Sequence, residues 1–125
     1  MKNEHPEQSP PREPTKSSFE ALDAAYSLIS ILVPVVAAVG KHDRSLKSQL
    51  QRAASSIPLN LNEGWGLQGG NKRARYLSAL GSAREVASIV EVARRWRYIS
   101  DETASDVDRL VEAVASMSYR LANPR

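Results

Sequence analysis

Apolar residues recur every three or four positions in four blocks of the chain, which is the spacing of amphipathic helices. The blocks span residues 19–39, 44–63, 71–98 and 101–121. The links between them are short: Gly40 and its neighbours, residues 64–70, and the pair Ile99 and Ser100. The sequence carries neither strand alternation nor an Asn-Gly hairpin signal. Short links between successive helices predict an all-α fold, an up-down-up-down antiparallel four-helix bundle.

The first block is apolar on more than one face. Its predicted core stripe is Leu22, Tyr26, Ile29, Val33 and Val36. Ile31, Leu32 and Val35 fall outside that stripe, so one core cannot receive every apolar side chain. A small bundle has too little mass to cover the outer face, whereas a neighbouring subunit could cover it. We therefore predict a homo-oligomer whose subunit interface contains Ile31, Leu32, Val35, Val36 and Trp65.

Several residues are expected to mark the helix ends. Pro34 lacks a backbone donor and should kink or weaken the first helix, and Gly40 should end it. Residues 64–70 hold four of the six glycines and are predicted to form a flexible connection. Asn71 is the predicted N-cap of the third helix, and Ser100 or Asp101 that of the fourth.

The beginning of the chain has a different composition from the rest. Residues 1–18 hold four of the seven prolines and no large apolar residue after Met1. Such a segment cannot bury enough apolar surface to offset the entropy lost on ordering. We predict a disordered Pro-rich tail at residues 1–18 and a bundle domain at residues 19–122.

The composition limits which cellular compartments and which kinds of chemical site are expected for this chain. The chain has no cysteine, which excludes disulfides, thiolate metal sites and a cysteine nucleophile, and which suits a reducing compartment. It begins without a signal-peptide pattern, and its longest apolar stretch, residues 28–39, is shorter than the ~20 residues that span a bilayer. A cytoplasmic protein without membrane contact is expected.

Two stretches, residues 46–66 and 75–90, resemble the four-helix-bundle proteins encoded in intervening sequences of bacterial large-subunit ribosomal RNA genes. The matching residues are Gln49, Leu50, Arg52, Ala53, Ser56, Ile57, Asn60, Glu63, Gly64, Tyr76, Leu77, Gly81, Ser82 and Glu85. The resemblance implies a bundle that assembles into rings, with pentamers favoured, and no catalytic activity. The fold is also similar to the accessory protein of diversity-generating retroelements, a basic pentamer that binds the reverse transcriptase and nucleic acid. In the family an aromatic-proline pair usually follows helix one. Here Gly40 makes that turn, and Pro34 lies earlier in the chain, inside the first helical block.

Four polar residues fall near the apolar stripes of the second and third helices. Asn60 and Glu63 are three residues apart, as are Ser82 and Glu85, so each pair shares a helix face. Together with Gly64 they form a predicted polar cluster or partner-binding site. The alternative is a buried hydrogen-bonded network that fixes helix register, or a pair between Glu63 and an arginine.

The residues needed for metal or covalent chemistry are missing from the sequence. The two histidines, His5 and His42, lie outside the helices, and no Glu-x-x-His motif accompanies the glutamates. No nucleophile has a base beside it at a suitable spacing. We expect no metal, no cofactor and no enzymatic activity.

Charge is distributed unevenly between the last two helices. The third is basic and the fourth acidic, which favours their pairing within a subunit or between subunits. Cations in a first helical turn are disfavoured by the helix dipole, so Lys72, Arg73 and Arg75 are expected to meet carboxylates or phosphates. The second cluster, Arg94, Arg95 and Arg97, alternates with Trp96 and Tyr98. Such aromatic residues either stack on bases or pack at a helix end.

The sequence thus favours a non-enzymatic homo-oligomeric scaffold that binds copies of itself. The alternative is a weak nucleic-acid-binding protein that multiplies a basic surface by oligomerisation, and another protein is a further candidate partner.

Overall fold

Four α-helices make up nearly all of residues 15–124, the part of the chain that our computed structural model describes. The helices are α1 (Lys16–Gly40), α2 (Arg44–Trp65), α3 (Gly69–Arg95) and α4 (Asp101–Ala122). Within residues 15–124 there is no strand, so the predicted all-α class is confirmed. Residues 1–14, which hold most of the predicted tail, and residue 125 lie outside the described residues.

Side-chain caps set three of the four helix starts. Thr15 Oγ1 accepts a hydrogen bond from Ser18 N (3.0 Å), so α1 begins at Lys16, within the predicted tail. Asp43 caps α2, and Ser100 caps α4 as predicted. The prediction that Asn71 caps α3 is wrong, because α3 begins two residues earlier, after Gln68.

The glycine-rich run is more ordered than predicted. Only residues 66–68 lie between helices, while Gly64 belongs to α2 and Gly70 to α3. Gly64 is buried against Tyr76: a Cβ atom on Gly64 would lie 2.6 Å from Tyr76 Cε1. This glycine allows close helix approach instead of flexibility.

Proline does not end either of the helices that contain it. α1 is helical across Pro34 and ends at Gly40, as predicted for the glycine. Leu32 and Val35, on either side of Pro34, are both buried, so packing holds the helix together where one backbone hydrogen bond is lost.

The core lies among all four helices. α1 packs against α2 and α4, and α3 packs against the same two helices. The buried residues of α1 are Ala21, Ala25, Leu28, Leu32, Val35 and Val39. These positions are offset by one residue from the predicted core stripe, of which Tyr26 and Val33 are exposed. The predicted stripe of α1 is therefore wrong by one residue.

By length and composition alone, α1 could cross a membrane: it has 25 residues, and its most apolar 18-residue window has a mean hydropathy of 2.0. A core helix of a bundle meets the same criteria, and six residues of α1 are buried within this one.

Candidate functional site

A chain of polar side chains joins α2 to α3. Glu63 Oε1 lies 3.0 Å from Arg75 Nε, and Arg75 Nη1 donates to Asn60 Oδ1 at 3.4 Å. Asn60 Nδ2 donates to Ser56 Oγ and to the Ser56 carbonyl oxygen, both at 2.9 Å. The Ser56 and Ser82 hydroxyls are 2.8 Å apart. We call Ser56, Asn60, Glu63, Arg75 and Ser82 the polar seam.

The polar seam contains three of the five residues predicted for the polar cluster. Asn60, Glu63 and Ser82 lie in it, whereas Glu85 is exposed and outside it. Gly64 instead contacts the Tyr76 ring. Arg75, which was expected to meet either a carboxylate or a phosphate, pairs with the carboxylate of Glu63, and this pair is also the alternative interpretation of that glutamate.

The groups of the polar seam satisfy one another. Both members of the Glu63–Arg75 pair are about half exposed or more, so the pair stabilises the fold by about 1 kcal/mol at most. The serine and asparagine bonds are more sheltered and restrict how α2 can slide along α3. Within residues 15–124 no group of three or more His, Cys, Asp or Glu could hold a metal ion.

The cations at the start of α3 have three different environments. Arg75 lies in the polar seam, and Arg73 Nη2 donates to Asn123 Oδ1 at the end of α4 (3.0 Å). Lys72 Nζ lies 6.0 Å from the centroid of the Tyr76 ring. Within residues 15–124, Arg75 thus meets one of the two partners expected for these cations, a carboxylate, whereas Lys72 and Arg73 form no ion pair.

The second predicted basic cluster is largely neutralised by carboxylates. Arg94 donates to both carboxylate oxygens of Glu91 (3.0 and 2.8 Å) and to Asp101 at the start of α4 (3.0 Å). Arg95 Nε donates to Glu91 at 2.6 Å. The hydrogen bond from Arg94, followed by that from Arg95, lowers the pKa of Glu91 to about 2. Arg94 thus links α3 to α4 within one subunit.

Aromatic rings cluster where the α1–α2 and α3–α4 connections meet. The His42 and Tyr98 rings stack with centroids 4.6 Å apart and planes within 2° of parallel. Trp96 beside them is 68% exposed, and Arg97 is exposed as well. We call His42, Trp96, Arg97 and Tyr98 the aromatic end.

Arg97 has a backbone conformation that usually requires glycine. Its φ is 68°, and it follows α3 in a Schellman arrangement: Tyr98 N donates to the Ala93 carbonyl (2.9 Å), and Arg97 N to the Arg94 carbonyl (3.0 Å). A side chain in this left-handed region costs about 1 kcal/mol relative to glycine.

Apolar side chains lie on the outside of α1. Phe19, Tyr26 and Val33 are 56%, 49% and 64% exposed. They are seven residues apart and so lie almost on one line along the helix. Next to them a shallow groove of about 200 Å³ separates α1 from α2, lined by Ile29 and Val36 among others. We call Phe19, Tyr26, Ile29, Val33 and Val36 the outer face.

Residues 18–120 match the model of the 23S rRNA-intervening sequence protein family. The chain belongs to this family. The resemblance found in residues 46–66 and 75–90 is thereby confirmed.

One solved structure is similar to this family member across most of its length. It is the crystal structure of a protein of unknown function from the S23 ribosomal protein family of Bacteroides thetaiotaomicron. The TM-score is 0.77 at 16% sequence identity, and the match covers 85% of this chain and 97% of that one. At this identity the likeness establishes the fold. A search of the curated proteins finds no match.

For this member of the 23S rRNA-intervening sequence protein family, the predicted subunit interface needs correction. Leu32 and Val35 are 1% exposed and belong to the core of the single chain. Ile31, Val36 and Trp65 are half-buried, and Val36 is also part of the outer face. The exposed apolar residues Tyr26 and Val33 had been placed in the core, because the predicted stripe was offset by one residue. Phe19 was not identified as a surface residue, although it lies seven positions before Tyr26.

Proposed function

We propose that this family member is a cytoplasmic, non-enzymatic scaffold that assembles into a homo-oligomeric ring of antiparallel, up-down-up-down bundles. Paired contacts support the antiparallel order. Ser56 contacts Ser82, and Glu63, seven residues later, contacts Arg75, seven residues before Ser82. The contacts of α3 with α4 run in the same sense, since Arg94 meets Asp101 and Arg73 meets Asn123.

The outer face of α1 is the observation that supports assembly. Three large apolar side chains in a line, each about half exposed or more, leave apolar surface in contact with water at successive positions along α1. Contiguous apolar patches of this kind mark interaction sites on soluble proteins. The side chains of Phe19 and Tyr26 also offer the aromatic area that is enriched at subunit interfaces.

The position of the apolar residues favours a ring. The outer face lies on α1, and the exposed apolar residues Val92 and Tyr119 lie on α3 and α4. Contact between the outer face of one copy and the α3–α4 surface of the next would join two different surfaces, so each copy could bind two neighbours. A head-to-tail contact closes into a ring when its rotation divides a full turn. The family resemblance implies a ring of five copies.

A charge on the outer face should abolish assembly without unfolding the subunit. Val33→Asp places a carboxylate on an exposed position that the proposal buries between subunits, and burial of an unpaired charge is strongly unfavourable. We expect the wild-type protein to have a solution mass several times 13.7 kDa by light scattering, and the variant to have the mass of one chain.

Leu67→Asp is the matched control for Val33→Asp. Leu67 is also an exposed apolar residue, but it lies in the α2–α3 connection and is not one of the residues of the outer face. This variant should keep the wild-type mass. A wild-type protein that stays monomeric at high concentration, or a Val33→Asp variant that keeps its assembly, would refute this proposal.

A second function, weak nucleic-acid binding, is favoured by the aromatic end. Trp96 offers an exposed ring for base stacking, and Arg97 remains at a position where glycine would be more stable. Retaining arginine in a strained conformation suggests that its side chain has a use. Repeating this surface around a ring would strengthen weak contacts through avidity.

Arg97→Gly separates the role of the side chain from that of the backbone. The variant loses one charge and gains the residue that suits the left-handed conformation, so it should fold at least as well as the wild type. We expect weaker binding to single-stranded RNA or DNA and a salt dependence reduced by about one phosphate contact, measured by fluorescence anisotropy. Arg84→Gln eliminates an exposed charge in the middle of α3 and is the control. It should change nucleic-acid binding less than Arg97→Gly does. Equal nucleic-acid binding by the wild type and by Arg97→Gly would exclude the Arg97 side chain, and with it the proposed role of the aromatic end in nucleic-acid binding.

A further inference from the structure

A cleft of about 470 Å³ lies at the end of the bundle where α1 and α3 begin and α4 ends. Its walls include Ser18 of α1, Lys72 and Tyr76 of α3, and Arg120 and Leu121 of α4. This is a different surface from the outer face and from the aromatic end. Its volume lies in the range of about 300–1,000 Å³ that is typical of small-molecule sites.

Positive charge dominates the polar part of this cleft. Lys72 and Arg120 line it, against the single carboxylate of Glu20. Arg120 Nη1 donates to Ser116 Oγ on its own helix (2.7 Å), and neither Arg120 nor Lys72 forms an ion pair within residues 15–124. Lys72 is also in the first turn of α3, where the helix dipole disfavours a cation. An anion in the cleft would compensate these charges.

The ends of two helices add to the positive potential. Neither α1 nor α3 has an acidic residue in its first turn, and the N-cap of α3, Gln68, makes no side-chain cap hydrogen bond. Backbone N–H groups at helix starts favour anions. This feature alone would not define a site.

Tyr76 gives an independent indication of a ligand. The residue is 1% exposed and lines the cleft, yet its hydroxyl completes no hydrogen bond with any group in residues 15–124. Burial raises the pKa of Tyr76, and the nearby Ser18 hydroxyl opposes part of that rise. Gly64 packs against the Cδ1–Cε1–Cζ edge of the ring and restricts its position. The phenol is therefore a neutral donor in the wall of a basic cleft, with the Ser18 hydroxyl nearby but with no completed hydrogen bond inside residues 15–124.

The remaining lining of the cleft is apolar. Met117 and Leu121 of α4 and Pro124 contribute to it. A ligand that matches both parts needs an anionic group at one end and an apolar group at the other. We propose that the cleft binds a small organic anion whose phosphate or carboxylate lies between Lys72 and Arg120, within reach of Tyr76, and whose apolar part contacts Met117 and Leu121.

Titration of the full chain with two aromatic anions tests this inference. Phenyl phosphate and phenylacetate carry the two candidate charged groups, and NMR chemical-shift changes in backbone amides report where each binds. We expect saturable shifts at Ser18, Lys72 and Leu121, and the tighter of the two probes identifies the charged group. Inorganic phosphate and benzyl alcohol, which each lack one half of the ligand, should bind more weakly than either anion.

Variants with matched controls decide the role of the charges. Arg120→Gln should weaken binding by about tenfold, the loss of one charge-assisted hydrogen bond. Arg109→Gln, which removes an exposed arginine from the same helix away from the cleft, should leave binding unchanged. Tyr76→Phe should weaken binding several-fold. The inference fails if neither anion shifts the cleft amides, or if Arg120→Gln and Arg109→Gln bind equally well.

Discussion

Gly64 and Tyr76 illustrate how a single missing methyl group positions two helices. The Tyr76 ring occupies the space that a side chain at position 64 would need, so the end of α2 can approach the start of α3 closely. This contact places Glu63, the residue before Gly64, beside Arg75, the residue before Tyr76. The geometry of the polar seam at this end thus depends on a glycine that takes no part in its hydrogen bonds.

Gly64→Ala should destabilise the subunit. The added Cβ would lie 2.6 Å from Tyr76 Cε1, and the buried ring has little room to move. Overpacking of this kind costs about 1–3 kcal/mol in the free energy of unfolding, which chemical denaturation followed by circular dichroism would measure. Gly66→Ala is the matched control, because a Cβ there would meet nothing closer than a backbone oxygen at 3.7 Å. Equal stability of the two variants would show that the ring yields easily.

At the scale of the helices, the sequence pattern determines where a helix lies better than which of its faces is buried. The predicted and observed stripes of α1 have the same spacing and differ by one residue, because apolar side chains occupy both series. The small residues Ala21 and Ala25 decide between them, since they let neighbouring helices come close, while Tyr26 is left outside. That choice depends on the shapes of the partner helices, which periodicity does not contain.

The polar seam was predictable in part for a similar reason. Helical spacing places Asn60 and Glu63 on one face, and the packing of α2 against α3 brings Ser82 to them. The helix-dipole argument predicts only that Arg75 should meet a carboxylate or a phosphate. Its actual partner, Glu63, lies on another helix and is found only when the register is known. The cleft at the bundle end is formed by three helix termini that are far apart in the sequence, so no local sequence motif predicts it.

The hydrogen-bonded ion pairs that Glu91 forms with Arg94 and Arg95 within α3 should weaken in acid. In the folded state the pKa of Glu91 is lowered to about 2, below its ordinary value of 4.5, by hydrogen bonds from Arg94 and Arg95. Because the unfolded chain takes up this proton first as the pH falls, the stabilisation is present above about pH 4.5 and is lost progressively toward pH 2. We expect Glu91→Gln to lose less stability than the wild type over that interval, measured by urea denaturation at each pH. Glu85→Gln, an exposed substitution on the same helix, should follow the wild-type curve, and parallel curves for wild type and Glu91→Gln would contradict the expected role of this carboxylate.

At the scale of the whole molecule, the α1 sequence is suited to two interfaces at once. One series of apolar residues is buried in the subunit, and the next series, shifted by one position, forms the outer face. If the outer face is buried between subunits, assembly contributes free energy to the folded state, and the apparent melting temperature must then depend on protein concentration. This link distinguishes assembly that stabilises the fold from weak association.

We therefore expect the melting temperature of the wild-type protein to rise by several degrees as its concentration increases about a hundredfold, since only the folded chain assembles. Val33→Asp should melt at a lower temperature that no longer depends on concentration, while keeping the helical circular dichroism spectrum, because Val33 is exposed within the subunit. Leu67→Asp should retain the concentration dependence, since its position lies outside the outer face. A wild-type melting temperature that is constant over this range would mean that the exposed apolar side chains of α1 do not stabilise an assembly, and the outer face would then need another partner.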